Sequence, residues 1–312
     1  MPLRLALFGQ AAFGKDVLDR LVAEGFEIAG VYTPPEGKRP DPLAEQARVS
    51  QLPLFTHRYF RKRVDGGFEP IARILDEYRR LEVDLNVLAY VTAILPPELV
   101  DHPPQRSLCF HPSLLPRFRG GSALAWQIIL GERESGVSVF QPDEGVDTGP
   151  IVVQKGGIAI EPADTAGSLY FKKLYPLGVE AVVEAVRQVA DGTARYARQD
   201  ESQASFQGLV GDADARIDWS RPAEELDRLA RGCDPQPGAW AQREGEQVRL
   251  FDVQLAPGVE GGEPPGRLLG LEAGRLLIAA EGGRLSVGRL RLGSGGKLAA
   301  AEAGLSPGDR LV

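Results

Sequence analysis

The sequence predicts an α/β protein, a doubly wound and mostly parallel sheet with helices on both faces, followed by a small C-terminal β-barrel domain with a leading helix. Three observations predict it. Strand-length apolar runs alternate with segments of helical period through the first half of the chain. A polar stretch without periodicity lies near residue 200. Beyond Trp240, apolar segments of four to six residues are separated by glycine pairs.

Leu3 to Phe8 is a short apolar run closed by Gly9. Lys15 to Glu24 carries Val17, Leu18 and Leu21 at helical spacing, which gives strand, glycine turn and helix. Ile28 to Tyr32 is the next strand, and PPEGKRPDPL reads as the loop after it. An amphipathic helix over Glu69 to Tyr78 precedes a third strand, Asp84 to Tyr90, and Leu108 to Phe110 reads as a central strand. Val137 to Phe140 adds another strand, parallel or antiparallel. Thr165 to Ala190 is a long helical region in which Pro176 marks a break or a new first turn, and Asp191-Gly192 ends it. The polar residues from Arg195 to Gly211 place the connection there, so 1–200 is expected to be one domain, 201–210 a linker and 211–312 a second domain. In that second part Ser220 is the expected N-cap of a helix with Pro222 early in it. VRLFDVQL, GRLLGL, GRLLIAA and GRLSVGRLRL then supply the strands of the barrel.

The 312 residues are 43% hydrophobic and 25% charged, an ordinary globular composition with chain enough for two cores. A formal net charge of −7 opposes a polyanionic partner unless a local basic patch overcomes it. Two cysteines, Cys109 and Cys233, argue for a reducing compartment and against a disulfide framework. The N-terminal MPLRLALFGQ is too short in its apolar run for a signal peptide, and no stretch approaches the roughly 18 apolar residues of a membrane span. A cytoplasmic location, no membrane association and no metal are therefore expected.

GQAAFGKD, Gly9 to Asp16, falls one residue short of a phosphate-binding G-x-x-x-x-G-K-[ST] loop, because Asp16 stands where a hydroxyl would ligate magnesium. A carboxylate there would face the phosphates. The plainer reading is a tight strand-to-helix turn. Chemistry is better placed at Ser107 to Thr148. Only three histidines occur in the chain, and His111 is the one where a strand gives way to a loop. A titratable group at such a strand end sits on a rigid scaffold yet faces a cleft, and Asp147 in GVDTG offers it an acidic partner. Read singly, each is equally a capping histidine or a turn aspartate.

Together, FHPSLLPRFRGG around His111 and GVDTG at Gly145 to Gly149 resemble the two signatures of the folate-dependent formyltransferase superfamily, whose fold is Rossmann-like. GQAAFG, DLNVLAYVTAILP and RIDW fit the same pattern in order over essentially the whole chain. Within the superfamily, GQAAFG, the short DPL-containing loop, FHPSLLPRFRG and LYPLGVEAV are closest to the N-terminal hydrolase domains of 10-formyltetrahydrofolate dehydrogenases. Methionyl-tRNA formyltransferases are also similar.

The resemblance implies removal of the formyl group from 10-formyltetrahydrofolate, with transfer to water or to an amine. His111 would donate to the tetrahedral oxyanion or shuttle a proton, and Asp147 would orient the imidazole and position the attacking water. The pterin would lie against backbone of Leu88, Ala89, Tyr90 and Val91 and of Gln141, Asp143, Glu144 and Gly145. Arg117 and Arg119 would meet the glutamate tail or anchor their loop; Ser113 and Gly120 would shape the turn, and Gly9 to Phe13 would border the acceptor side.

One departure matters: relatives that transfer to amines carry Asn two residues before the histidine, and this chain has Cys109. A thiol cannot replace an amide's paired donor and acceptor, which favours water as acceptor. Cys109 is then either a formyl-accepting thiolate or a small strand residue. The hydrolase-domain resemblance carries no NADP site into this chain.

Residues 211–312 hold 13 Lys plus Arg against 16 Asp plus Glu, which argues against a nucleic-acid partner. Arg58, Arg61, Lys62 and Arg63 are contrary evidence, so methionyl-tRNA stays among the alternatives, with an amino sugar and a folate-binding protein without turnover. The oligomeric state is not indicated.

Overall fold

The computed structural model describes residues 3–256 and 262–312. Their contacts divide into two units. One comprises Met1–Arg119, Gly136–Gly156 and Leu174–Ser205, the other Gly120–Ser135, Gly157–Lys173 and Phe206–Val312.

In the first unit, β1 (Arg4–Gly9) is buried over five of its six residues and runs into α1 (Ala11–Ala23). The helix begins four residues earlier than its apolar spacing suggests, so the glycine turn is itself the first helical turn. A Cβ at Gly9 would overlap the Ala89 carbonyl oxygen, which is why glycine closes this strand. The Ala11 amide, the one a phosphate would seek, is bound by Asp41 Oδ2 at 2.7 Å. The turn is thus packed against carboxylate and backbone, in keeping with the plainer of its two readings.

After β2 (Glu27–Thr33), the segment expected as a loop ends in α2 (Pro42–Val49). Asp41 caps it by accepting from Leu43 N and Ala44 N at 3.0 and 3.2 Å, with Pro42 in the first turn. A short β3 (Leu54–Thr56) follows. The helix expected over Glu69 to Tyr78 is corrected at its start. Arg61–Val64 (β4) and Gly67–Pro70 (β5) form a two-stranded hairpin, and α3 spans Ala72–Arg79. Gly66 and Gly67, both at positive φ, turn the hairpin, and Pro70 ends β5 before α3 begins. Then come β6 (Leu85–Ala89), α4 (Pro97–Val100) and β7 (Ser107–His111).

Further along the chain are α5 (Ala123–Ile129) and α6 (Ala166–Leu169), both in the second unit, and the strands β8 (Glu134–Phe140) and β9 (Ile151–Ala159). A π-helical turn, Tyr170–Leu174, leads into α7 (Tyr175–Ala190), whose first turn holds Pro176. The sheet order is β3-β2-β1-β6-β7-β8-β9, parallel from β3 to β7, with β8 antiparallel to β7. The order in which strands are added to the sheet reverses between β1 and β6, and in such sheets the crevice beyond the strand ends at that switch receives ligands. One face packs Phe8 on Tyr32 at 4.5 Å, beside Tyr78. Buried Asn86 accepts from Tyr78 Oη at 2.7 Å and donates to Leu99 O and Ser107 Oγ, pinning β6 to its neighbours.

In the second unit, Ala215, Ile217 and Trp219 are buried in a core built on α8 (Ala223–Gly232) and the strands that follow. Ser220 is not the cap. Its amide and hydroxyl both bond Asp218, and the helix starts after Pro222. The strands are β10 (Ala239–Arg243), β11 (Glu246–Ala256), β12 (Leu268–Glu272), β13 (Arg275–Ala280), β14 (Gly283–Leu292) and β15 (Leu298–Ala299). They form an antiparallel sheet in the order β10-β11-β14-β13-β12, with β15 on β14. This is the small C-terminal β domain, led by a helix, that was expected. Among the described residues, no helix is long and apolar enough to cross a membrane.

Candidate active site

The site is built around β7, which is flanked by parallel β6 and antiparallel β8. Register places Leu88 opposite Cys109 and Cys109 opposite Phe140, so the three stand abreast. The two stretches expected to meet a pterin, 88–91 and 141–145, therefore continue from the two strands that flank β7. Leu88 and Ala89 are buried in β6, Tyr90 is exposed at φ 66°, and Val91 is half-buried. Gln141 donates its amide to Pro150 O at 2.9 Å. Asp143 Oδ1 accepts from Gly145 N and the Thr148 hydroxyl, which curls the loop, while Glu144 is exposed.

His111 ends β7 and is 6% exposed. Its Nε2 lies 2.7 Å from Phe118 O and its Nδ1 lies 3.5 Å from Asp147 Oδ2. A carbonyl only accepts, so Nε2 holds a proton and Nδ1 is the nitrogen left to exchange one with a carboxylate or a bound molecule. Structure thus brings His111 and Asp147 together. The turn after His111 is stiff: Ser113 Oγ donates to Arg117 O, and Ser138 Oγ donates to Ser113 O, both at 2.7 Å.

Cys109 shares the β7 face of His111 and packs, half-buried, against the Phe8, Tyr32 and Tyr78 cluster. Burial, and after it the negative charge of Asp147, pushes its thiol well above the ordinary range. This environment favours the neutral thiol over a nucleophilic thiolate.

Arg119 is 6% exposed and its side chain is committed to the 199–201 segment. It donates to Gln199 Oε1 through Nε and Nη2 and pairs with Glu201 at 2.7 Å. Gln199, also 6% exposed, donates to Asp147 O and Gly149 O at 2.9 and 2.7 Å. Sequence reasoning missed Gln199 because it lies in an aperiodic polar run, and a buried amide there leaves no mark in the pattern. Arg117 stands over the Phe118 ring at 5.4 Å.

Beside Tyr90 and Val91 opens a cleft of about 510 Å³. Gly9, Gln10, Thr33, His57, Arg58 and Arg61 are among its walls. It does not include His111 or Asp147. Among the described residues, no group of three or more His, Cys, Asp or Glu side chains could hold a metal ion.

The family model "Formyl transferase" matches residues 3–186, and "Formyl transferase, C-terminal domain" matches 210–305. Mitochondrial 10-formyltetrahydrofolate dehydrogenase of Mus musculus is 38% identical over 321 residues, covering 99% of this chain and 34% of that protein. The chain therefore spans about a third of the length of that relative. Methionyl-tRNA formyltransferase of Dinoroseobacter shibae is 37% identical over 261 residues, 82% of this chain and 84% of that one. In fold, the chain resembles HypX from Aquifex aeolicus in complex with tetrahydrofolic acid. The TM-score is 0.70 at 20% identity, over 96% of this chain and 46% of that one.

Proposed function

The chain belongs to the formyl transferase family, and from that premise we propose that it removes the formyl group from 10-formyltetrahydrofolate and passes it to water. The observation that carries this reading is the 3.5 Å approach of His111 Nδ1 to Asp147 Oδ2 at the end of β7. Residues 1–200 hold the chemistry.

Water attacks the formyl carbon and its proton passes to the Asp147 carboxylate. Nδ1–H of His111 stabilises the oxyanion and then protonates N10 as the carbon–nitrogen bond breaks. Asp147 then returns its proton to Nδ1, and the products are tetrahydrofolate and formic acid, which releases its own proton to solvent and leaves as formate. Phe118 O keeps Nε2 protonated throughout, so the ring presents one nitrogen to the reaction. The pterin edge bonds to backbone at Leu88 to Val91 and Gln141 to Gly145, and neither metal nor NADP takes part. Cys109 in place of an amide favours water, and two unpaired thiols suit the cytoplasm.

A second reading, transfer to an amine, is favoured by one observation: the cleft beside Gly9 and Gln10 carries Arg58 and Arg61, which suit an anionic acceptor such as methionyl-tRNA or an amino-sugar nucleotide.

Release of tetrahydrofolate from 10-formyltetrahydrofolate, followed by absorbance with and without methionyl-tRNA, tests the proposal. Acceptor-free turnover that disappears in Asp147→Ala supports hydrolysis. Turnover only with tRNA supports transfer. Tight folate binding with no turnover under either condition identifies a binding protein and overturns both.

A further inference from the structure

Phe118 and Asp147, which both meet the His111 ring, lie in the left-handed region, at φ 59° and 55°. Side chains rarely adopt that conformation unless their surroundings impose it. Here one short segment fastens both. Ser205 Oγ accepts from Phe118 N at 2.9 Å, Ser205 O accepts from Arg119 N at 2.9 Å, and Ser205 N donates to Pro116 O. Six residues earlier, the Gln199 amide group donates to Asp147 O and Gly149 O, while its oxygen accepts from Arg119. Every polar atom of that amide is used, and only one orientation satisfies all its partners.

We propose that Gln199 and Ser205 are positioning residues, and that the 199–205 segment sets the separation between His111 and Asp147. The inference rests on the reading of those two residues as the formyl-removing pair. Gln199 holds the Asp147 main chain, and Ser205 holds the Phe118 carbonyl that takes His111 Nε2. Arg119 joins the two anchors from beneath. The segment that looks like the start of a linker is therefore a brace for the catalytic pair.

Gln199→Glu is the sharpest variant. Glutamate can still pair with Arg119 but cannot donate to the two carbonyls, so it pushes the Asp147 loop away while keeping the Arg119 anchor. A displacement of about 1 Å at reacting groups costs about a hundredfold in rate. The expected result is a kcat lower by about that factor, with KM for 10-formyltetrahydrofolate changed little. The His111 imidazole resonances should move, and with three histidines in the chain they are readily assigned. Ser205→Ala should act in the same direction and less severely. Should the glutamate variant not fold, Gln199→Met removes the donors without adding charge.

Wild-type kcat in the variants overturns the inference. So does a lost rate accompanied only by a lower melting temperature, with His111 resonances unmoved. Because those resonances are read without turnover, they decide the role of Gln199 even if His111→Ala proves fully active and the functional reading falls.

Discussion

The His111 ring is gripped by a main-chain carbonyl: Nε2 stands 2.7 Å from Phe118 O, seven residues further along the chain. In the mechanism proposed above, this contact decides which nitrogen works, because the protonated Nε2 is spent on structure and Nδ1 faces Asp147.

Replacing either member of that pair should remove the chemistry and spare binding. General acid–base catalysis by one group is worth roughly 10²–10⁴-fold. His111→Ala and Asp147→Ala are each expected to lower kcat within that range. Tetrahydrofolate affinity, measured by fluorescence titration, should stay near wild type, since the contacts of this pair strengthen in the transition state. A variant that keeps near-full turnover removes its residue from the mechanism.

Cys109→Ala gives the opposite expectation. The thiol is held neutral by burial and by the charge of Asp147, so it offers little nucleophile at neutral pH. Its removal deletes one small contact with the aromatic cluster. Hydrolytic activity should persist within about threefold, because no reacting group is lost. A rate loss comparable with that of His111→Ala would restore the formyl-thiol intermediate.

Much of this was legible in the sequence, and the failures have physical causes. The β7 terminus and its partner loop could be read because short polar signatures bracket His111 and Asp147. The β4–β5 hairpin could not, since Arg61, Lys62 and Arg63 stand in sequence without an apolar alternation and both strands are largely open to solvent. The α2 helix buries only Leu43, Ala44 and Ala47, too few to announce a period, although Asp41-Pro42 spelled out its start. Gln199 and Arg119 owe their roles to contacts 50 to 80 residues distant in the chain, which no local pattern encodes.

Asp164 makes part of the acid stability predictable. Burial alone would raise its carboxyl. The Lys173 ammonium at 2.5 Å, with hydrogen bonds from Glu161 N and Ser168, outweighs burial and holds it below its ordinary value. A carboxyl lowered on folding contributes stability that is fully present above its unfolded pKa, 3.8, and fades as pH falls through the lower folded value. Asp164→Asn should lose about 2 kcal/mol at pH 7, the usual scale for hydrogen bonds to a charged group. Urea titrations should show the gap between wild type and variant closing below pH 4. A gap that is constant down to pH 2 would show that the Lys173 pair contributes nothing.

Asp41 is the test of how α1 and α2 are joined. Its Oδ1 accepts from Leu43 N and Ala44 N, and its Oδ2 accepts from Ala11 N, so one carboxylate satisfies amides at the starts of two helices. Losing an N-cap costs about 1 kcal/mol. Leaving the Ala11 amide without its partner adds about 1–3 kcal/mol. Asp41→Ala should therefore lower the unfolding free energy by about 2–4 kcal/mol, read from the urea midpoint at unchanged m-value. Asp41→Asn keeps one acceptor oxygen, which can serve α2 or Ala11 but not both, so an intermediate loss is expected. Because His111 and Asp147 are fastened by other residues, kcat per folded molecule should not change in either variant. A stability loss below 0.5 kcal/mol would mean that water replaces the carboxylate at both helix starts, and the glycine turn would then be open enough to admit an anion.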